Sequence, residues 1–305
     1  MNTDRTAPAV ATHGLTKTYG DVQALRDLDL EVHRGEVFGF LGPNGAGKTT
    51  MIRTVLDLIR PTSGTSSILG LDSRRDSVEI RRHIGYLPGD LAMYPKLTGK
   101  DTLTYFANLR GGVQWSYVNE LAERLNADLS KKVADYSTGN RQKVGLIQAF
   151  MNRPELIIMD EPSTGLDPLV QQEFQAMMRE LADEGRTVFL SSHTLSEVQR
   201  SADRVGIIRA GRLIDVESVH DLRSKAIRRV ELVFDAPVAA ADFADIAGAR
   251  DVESTEHSVR LSFDGNMDEL LGVATGKHHL IDINSEEADL EEIFLAYYRD
   301  AEASA

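Results

Sequence analysis

The chain has 305 residues, enough for one large or two modest domains, and 42% hydrophobic and 27% charged residues are ordinary for a globular protein. The absence of cysteine excludes disulfides and cysteine–metal sites, and a net charge of −13 argues against broad non-specific affinity for nucleic acid or anionic lipid. The opening residues lack the basic start and apolar core of a signal peptide, and no apolar run is long enough to span a bilayer. We therefore expect a cytoplasmic protein that a protein partner would hold at any membrane.

Apolar runs that predict buried strands alternate with helical patterns in the first two thirds of the chain. The predicted strands are "LDLEV" (28–32), "VFGFL" (37–41), "PELIIMDEP" (154–162) and "TVFLSSH" (187–193). The predicted helices cover residues 48–59, 98–127 and 172–185. Strands that alternate with helices in this way indicate a parallel α/β sheet.

Past residue 220 the pattern changes to short alternating strands. Residues 229–234 alternate, a short Ala-rich helix follows, and then come "DVEST", "SVRLSF", a helix near 267–274 and the strand "HLIDI". The order β-α-β-β-α-β predicts a ferredoxin-like α+β unit, followed by one closing helix. The apolar stripe of that closing helix comprises Leu290, Ile293, Phe294 and Tyr297.

A glycine-rich loop joins the strand at 37–41 to the helix that follows it. The loop "GPNGAGKT" (42–49) fits G-x-x-x-x-G-K-[ST], the phosphate loop, whose glycines let backbone N–H groups point at phosphate oxygens. Lys48 would reach the β- and γ-phosphates, and the Thr49 hydroxyl would ligate Mg²⁺. A plain glycine turn is the alternative interpretation, but this loop lies between strand and helix as the motif requires.

Polar side chains end the next two predicted strands. Asp160 and Glu161 follow one apolar run, and His193 follows the other. Functional sites of open α/β sheets lie at the carboxyl ends of strands, so Asp160 suits a Mg²⁺ role through water and Glu161 is placed to orient or deprotonate an attacking water. Taken alone, an acidic pair is typical of a helix cap or a solvated turn, and a lone histidine of a structural role. The phosphate loop in the same chain favours the functional interpretation.

Four stretches together resemble the ATPase subunit of ATP-binding cassette (ABC) transporters. They are "GPNGAGKTT" (42–50), "YSTGNRQK" (136–143), "LIIMDEPSTGLDP" (156–168) and "SSH" (191–193). The resemblance covers roughly residues 8–220. It implies an α/β P-loop NTPase fold of the ABC type over residues 1–220, with a parallel sheet core, an antiparallel β subdomain and a helical subdomain at about 90–150. The ferredoxin-like α+β accessory domain would then cover residues 221–305.

The resemblance also implies a shared site for ATP and Mg²⁺. In that family two cassettes pair head to tail, so Ser137 and Gly139 of the signature "YSTGNRQK" would face the partner's γ-phosphate. Glu161 and His193 would be catalytic, with His193 contacting γ-phosphate, and Thr49 and Asp160 would hold the metal. Tyr19 resembles the aromatic that stacks on adenine, and Asp167 the residue that couples the two sites. The nucleotide-binding residues implied are Tyr19, Gly42, Pro43, Asn44, Gly45, Ala46, Gly47, Lys48, Thr49, Thr50, Ser137, Gly139 and Asp167.

The sequence departs from the family pattern in two places. Thr138 and Asn140 stand where the signature commonly has Gly and Gln, and both keep small or polar character. In "IGYLPGDLAMYP" (84–95), Gly89 and Asp90 occupy the place of a glutamine that helps to bind Mg²⁺ and water and transmits to the membrane subunit. Either Asp90 substitutes for that glutamine or a water fills the gap.

The tail and the altered signature resemble ATPase subunits of ABC-2 type drug and antibiotic exporters. This implies a homodimeric subunit held at the cytoplasmic face of the cell membrane by a separate integral-membrane permease, with a drug, antibiotic or lipid-like cargo and no nucleic-acid partner. One alternative is a soluble cassette of translation or DNA repair, against which the single cassette, the missing cysteines and the −13 charge count. The other, a cassette that signals without moving a substrate, stays open.

Overall fold

The computed structural model describes residues 6–225 and 228–286, and the chain divides into two compact units, Met1–Val219 and His220–Ala305. The predicted closing helix lies outside the described residues, and with it the stripe of Leu290, Ile293, Phe294 and Tyr297. Within the described ranges, no helix combines the length and apolar character needed to cross a membrane.

Strands and helices alternate through most of the first unit. Its strands are β1 (Val10–Tyr19), β2 (Val22–Val32), β3 (Val37–Leu41), β4 (Ser63–Ile68), β5 (Leu71–Asp72), β6 (Ile84–Leu87), β7 (Leu156–Asp160), β8 (Thr187–Ser192), β9 (Arg204–Arg209) and β10 (Arg212–Ser218). Its helices are α1 (Lys48–Val55), α2 (Ser77–His83), α3 (Gly99–Leu109), α4 (Trp115–Arg124), α5 (Thr138–Phe150), α6 (Pro168–Asp183) and α7 (Leu195–Ser201), and α8 (Val219–Lys225) spans the boundary.

The central sheet of the first unit has six strands in the order β10-β9-β3-β8-β7-β6. Its neighbouring strands run parallel, except that β9 and β10 are antiparallel. Every residue of β3, β7 and β8 is buried, as continuous apolar runs predict for strands covered on both faces. The ring centroid of Phe189 lies 5.8 Å from that of Phe38 and 5.7 Å from that of Phe40. The predicted parallel α/β core is confirmed.

Two further parts of the first unit lie outside its central sheet. A four-stranded antiparallel sheet has the order β2-β1-β4-β5. The single helical stretch predicted over 98–127 is instead α3 and α4, separated by a turn that contains Gly111 and Gly112. Adjacent glycines are poor helix formers, which accounts for the break. Helix α3 begins with a capping box in which Thr98 and Asp101 satisfy each other's backbone N–H groups.

The second unit contains one antiparallel sheet in the order β12-β13-β11-β14. Its elements are β11 (Arg228–Phe234), β12 (Ala249–Ser254), β13 (Ser258–Phe263), α9 (Met267–Lys277) and β14 (Leu280–Glu286). This strand order and the helix between β13 and β14 follow the ferredoxin-like pattern. The short Ala-rich helix expected after β11 is replaced by a single 3-10 turn at Ala240–Asp242. So short an isolated helix is marginal, and this segment instead buries Phe243 completely in the unit's own core.

We predict that Phe189→Ala lowers the free energy of unfolding by about 3–5 kcal/mol, because the truncated ring leaves a cavity between buried aromatic side chains. Urea denaturation followed by the fluorescence of Trp115, the single tryptophan of the chain, measures this. The control Val22→Ala alters a side chain that is 67% exposed and should stay within about 0.5 kcal/mol. Equal losses in the two variants would contradict the packing described for β8.

Candidate nucleotide-binding site

The phosphate loop connects β3 to α1 and is held in shape by the surrounding backbone. Gly47, the residue before α1, has φ +111, and a Cβ there would lie 2.6 Å from the carbonyl oxygen of Ala24. The loop's Ala46 carbonyl accepts a hydrogen bond from the N–H of Gly211 at 2.9 Å. Both the backbone angle and the space therefore require glycine at position 47. The start of a helix with free N–H groups follows directly, which is an anion-binding arrangement.

Lys48 is the buried cation of the site. Its side chain is 6% exposed, and Nζ donates to the carbonyl oxygens of Gly42 at 2.6 Å and Pro43 at 3.2 Å. Nζ also lies 3.2 Å from Oε1 of Glu161. A buried ammonium needs such partners, because an unpaired buried charge is costly. The loop thus presents one fixed positive charge beside the carboxyl ends of β3 and β7.

Glu161 and His193 face each other at the ends of neighbouring strands. The backbone N–H of Glu161 lies 3.2 Å from both the carbonyl oxygen and the Oγ of Ser191, and its φ is +53. Oε2 of Glu161 pairs with Nδ1 of His193 at 2.7 Å, and His193 is exposed. The structure therefore brings Lys48 and His193 to the two oxygens of the Glu161 carboxylate. Oε1 forms the ion pair with Lys48 and accepts no hydrogen bond.

Asp160 is the last residue of β7 and is 1% exposed. Its Oδ1 accepts a hydrogen bond from the Ser191 hydroxyl at 2.5 Å, whereas Oδ2 has no hydrogen-bond partner. An orphaned buried carboxylate oxygen fits a hard cation or its water ligands. Thr49, in the first turn of α1, adds a hydroxyl of the same donor class.

Residues 6–225 and 228–286 contain no cluster of three or more His, Cys, Asp or Glu side chains that could hold a metal by themselves. This agrees with the way Mg²⁺ is usually bound beside a nucleotide, through one or two protein oxygens together with phosphate oxygens and water. Asp160 and Thr49 each offer one oxygen donor of this kind.

Gly89 is the member of the Gly89–Asp90 pair that lies against Asp160. A Cβ at Gly89 would lie 3.1 Å from Oδ2 of Asp160. The absence of a side chain at this position thus leaves space beside the orphaned oxygen. Asp90 is exposed.

Tyr19 lies at the end of β1, and its ring is 48% exposed. Nζ of Lys17 lies 4.8 Å from the ring centroid. An exposed ring in a hairpin can stack on a flat base, and the cation beside it enriches the site in positive charge.

The signature segment forms the N-terminus of α5. Ser137 is the N-cap, its Oγ accepts the N–H of Asn140 at 3.2 Å, and its side chain is exposed. A Cβ at Gly139 would lie 2.5 Å from the carbonyl oxygen of Gly165, so only glycine permits this approach of two loops. The signature is thereby packed against the loop that follows Glu161.

Asn140, one of the departures from the family pattern, has a defined internal role. Its Oδ1 accepts the N–H of Asp128 and its Nδ2 donates to the carbonyl oxygen of Asp128, both at 2.9 Å. The Tyr136 hydroxyl donates to the same carbonyl at 2.5 Å. The amide therefore ties the first turn of α5 to the segment that follows α4.

Asp167 is the N-cap of α6, which begins at Pro168 rather than at the predicted residue 172. Its Oδ1 accepts the N–H of Val170 at 3.1 Å, and Nζ of Lys143 lies 3.6 Å from Oδ2. The pKa of Asp167 is held below its ordinary value mainly by the hydrogen bond from the Val170 N–H and, to a smaller extent, by the positive charge of Lys143. Asp167 thus stays ionised where the loop after Glu161 ends.

Two residues of the site were missed from the sequence. Gln142 is 8% exposed, and its Nε2 donates to the carbonyl oxygen of Pro162 at 2.8 Å, which links α5 to the residue after Glu161. Glu197, in the first turn of α7, accepts hydrogen bonds from the hydroxyls of Ser163 and Ser192. Burial raises the pKa of the Glu197 carboxyl, and the two hydroxyls oppose that rise. Gln142 lies within the signature stretch but has no distinguishing signal of its own there, and Glu197 has none beyond being polar and close to "SSH".

Comparison with known proteins places this geometry in one family. A family model described as ABC transporter matches residues 25–164. The chain is 37% identical over 230 residues to the uncharacterized ABC transporter ATP-binding protein YcbN of Bacillus subtilis (strain 168), covering 73% of this chain and 74% of that protein. It is 36% identical over 235 residues to the bacitracin transport ATP-binding protein BcrA of Enterococcus faecalis, covering 76% of each. The solved ATP-binding subunit of an ABC transporter superposes with a TM-score of 0.64 at 32% identity, over 70% of this chain and 92% of that one.

A phosphate loop between a parallel strand and a helix, with a buried carboxylate at the end of another strand of the same sheet, defines a P-loop ATPase. The chain belongs to the ABC transporter ATP-binding protein family, and it is the ATP-binding ATPase subunit of a transporter. The predictions of family, fold class and ATPase activity are confirmed. The roles of individual site residues stay predictions.

We predict that Asn140→Ala lowers the free energy of unfolding by about 1–3 kcal/mol, because the half-buried N–H of Asp128 loses its acceptor. Asn140→Asp keeps that acceptor but loses the donor to the Asp128 carbonyl, so its loss should be smaller. Thermal and urea unfolding measure both variants. The control Asn108→Ala, at an exposed position of α3, should stay within about 0.5 kcal/mol. An Asn140→Ala protein as stable as the control would remove this link.

Proposed function

We propose that this chain is the ATP-hydrolysing subunit of an ABC-2 type exporter and powers a separate integral-membrane permease by ATP-driven head-to-tail dimerisation. The observation that carries the hydrolytic part is the convergence of Lys48, Glu161 and His193, with Glu161 between an ammonium 3.2 Å away and an imidazole 2.7 Å away. Three elements distant in the sequence supply a phosphate-binding cation, a base and a group that orients the base.

Glu161 acts as the base that orients the attacking water and takes its proton. Its Oε2 is held by His193, so the imidazole fixes the carboxylate, and Oε1, which is paired with Lys48, is the oxygen that would receive the water. Lys48 neutralises Oε1 in the structure. The phosphates of ATP carry more negative charge than one carboxylate, so they compete for Lys48 and free Oε1 to receive the proton.

Mg²⁺ is the metal that the orphaned Oδ2 of Asp160 and the Thr49 hydroxyl would hold. When bound, it supplies positive charge that stabilises the phosphate oxygens as the bond to the leaving group breaks. Gly89 leaves the Oδ2 side open for a water, so no side chain replaces the family's glutamine there. Tyr19 stacks on the adenine, and the phosphate-loop N–H groups bind the phosphates.

The signature loop serves the second subunit of a homodimer. Ser137 and Gly139 present a hydroxyl and a helix N-terminus, and the Ser137 side chain is exposed, with its one hydrogen bond made to Asn140 within its own helix. The start of a helix can bind an anion, and the ATP held by the phosphate loop of a second copy would supply the phosphate. Asp167, ionised at the end of the neighbouring loop, couples the two composite sites.

An apolar groove on the first unit is proposed to receive the permease. It exposes Leu58 and Leu109, which are 50% and 66% exposed, beside the ring of Tyr86. Arg81 and Arg110 also line it, so a helix with apolar and acidic side chains at the cytoplasmic face of the permease fits best. This contact with the permease would hold the subunit at the membrane surface.

The cargo is proposed to be a drug, an antibiotic or a lipid-like compound. The support is the relative whose name assigns it to bacitracin transport, at 36% identity. Residues 221–305 are proposed as an accessory domain that supports dimer contacts or regulation. The support is that residues from His220 onward form a compact unit with a hydrophobic cluster of its own.

We predict that Glu161→Gln lowers the turnover of ATP about a hundredfold or more and leaves ATP affinity unchanged or slightly tighter. The amide cannot take a proton, and Lys48 is no longer neutralised by a carboxylate. Phosphate release and the binding of a fluorescent ATP analogue measure the two effects. The control Glu120→Gln changes an exposed glutamate of α4 and should leave both unchanged. Near-normal turnover of Glu161→Gln would remove Glu161 from the mechanism.

A mixed dimer tests the head-to-tail sites. With Lys48→Ala on one chain and Ser137→Ala on its partner, one composite site carries both defects and the other keeps a good Lys48 and a good Ser137. With both changes on one chain, each composite site carries one defect. A charge-assisted contact to phosphate is strong, so each defect should be severe. We therefore predict that the first dimer traps nucleotide in a transition-state-like complex at one site and that the second traps none.

Trapping by a phosphate analogue is the measurement, because continuous turnover can need both sites. Dimers of two unmodified chains, which carry different tags and are purified in the same way, give the reference level of trapped nucleotide. If Ser137 instead served the ATP of its own chain, the doubly substituted chain would leave its partner intact. Trapping that survives in the second arrangement and vanishes in the first would contradict the head-to-tail assembly.

A further inference from the structure

Glu197 adds a side-chain link between the loop after β7 and the end of β8, which also meet where the backbone N–H of Glu161 contacts Ser191. It lies in the first turn of α7, and its two carboxylate oxygens accept from different elements. Oε1 accepts the hydroxyl of Ser163, which belongs to the loop after β7. Oε2 accepts the hydroxyl of Ser192, the last residue of β8, at 2.6 Å. One side chain thus joins the ends of both strands.

Each serine lies next to a residue of the proposed hydrolytic pair. Ser192 directly precedes His193, and Ser163 follows Glu161 by one intervening residue, Pro162. The Ser192 hydroxyl oxygen also accepts the backbone N–H of Thr194 at 2.9 Å, so Ser192 holds the chain on both sides of His193. Glu197 therefore adds a second connection, besides the pairing of β7 with β8, between the backbones that carry Glu161 and His193.

The chemistry of Glu197 suits a fixed support. An ionised carboxylate accepts hydrogen bonds and donates none, and here both oxygens are engaged by hydroxyl groups. A small pocket opens beside it toward Glu161 and His193, without a hydrogen bond between Glu197 and either of them. Glu197 is thus placed to act through the serines rather than on the phosphate itself.

We propose that Glu197 is a positioning residue for ATP hydrolysis, which holds the loop after Glu161 and the end of β8 in the register that pairs Glu161 with His193. This rests on the proposed roles of Glu161 and His193. Without Glu197 the two serine hydroxyls lose their shared acceptor, and the loop after Glu161 is free to shift relative to β8. Misplacement of a reacting group by about 1 Å can cost on the order of a hundredfold in rate.

The test compares Glu197→Ala and Glu197→Gln in the full chain, with Glu120→Ala and Glu120→Gln as matched controls at an exposed glutamate. Glu197→Ala is expected to lower kcat by about tenfold to a hundredfold while the affinity for a fluorescent ATP analogue changes less than about threefold. Glu197→Gln keeps one acceptor oxygen, and its amide can donate to the other hydroxyl. It is therefore expected to recover most of the lost kcat.

A double-mutant cycle separates positioning from general loss of stability. Ser163→Ala and Ser192→Ala should each lower kcat, and adding either to Glu197→Ala should lower it by less than about a further twofold, because the link is already broken. Additive effects in this cycle, or a Glu197→Ala enzyme whose kcat stays within about twofold of Glu120→Ala, would overturn the proposal. If Glu197→Ala does not fold, the two serine variants decide: both folded with unchanged kcat would also overturn it.

Measuring Glu161→Gln beside these variants shows whether an unexpected result contradicts the proposed catalytic pair or only the positioning role of Glu197. If Glu161→Gln turns over normally, the proposed catalytic pair is wrong. If Glu161→Gln is inactive while Glu197→Ala is active, the pair stands and the positioning role of Glu197 alone is wrong.

Discussion

The parallel pairing of β3, β8 and β7 is the constraint on which the site depends. Its register sets Leu41 beside Ser192 and Asp160 beside Ser191, so the residues that follow these strands leave the sheet at one edge. The ion pair between Lys48 and Glu161 forms across that edge. Because a buried ammonium needs compensating partners, the wrapped phosphate loop and the acid at the end of β7 stabilise each other.

Around this edge, polar side chains connect loops to one another. Asn140 ties the start of α5 to Asp128, Gln142 ties α5 to Pro162, and Glu197 ties the loop after β7 to β8. All three side chains are at least half-buried, and leaving their polar groups unpaired would cost free energy. These hydrogen bonds hold the loops around the site in one arrangement relative to the sheet.

The second unit is built on a different principle. Its four strands are all antiparallel, and alternate residues of β11 and β13 face a core that contains Phe234, Phe243 and Phe263. A sheet with one buried face needs one covering layer, which α9 begins to supply. Such a unit buries its own apolar surface. In the central sheet of the first unit, by contrast, strands β3, β7 and β8 are buried on both faces.

The sequence by itself determined the parallel core, the phosphate loop and the acidic strand end, because continuous apolar runs and a glycine loop of fixed spacing have few structural alternatives. It also indicated the antiparallel order of the second unit, but not that the Ala-rich segment after β11 would form only a 3-10 turn, since the demand to bury Phe243 is a tertiary one. Only the tertiary structure decided that Gly89, and not Asp90, lies against Asp160, and that Asn140 is committed to Asp128. Glu197 shows the reason, because its partners Ser163 and Ser192 lie on different elements. A hydrogen bond between two elements produces no periodic pattern in the sequence, so the sequence alone does not predict it.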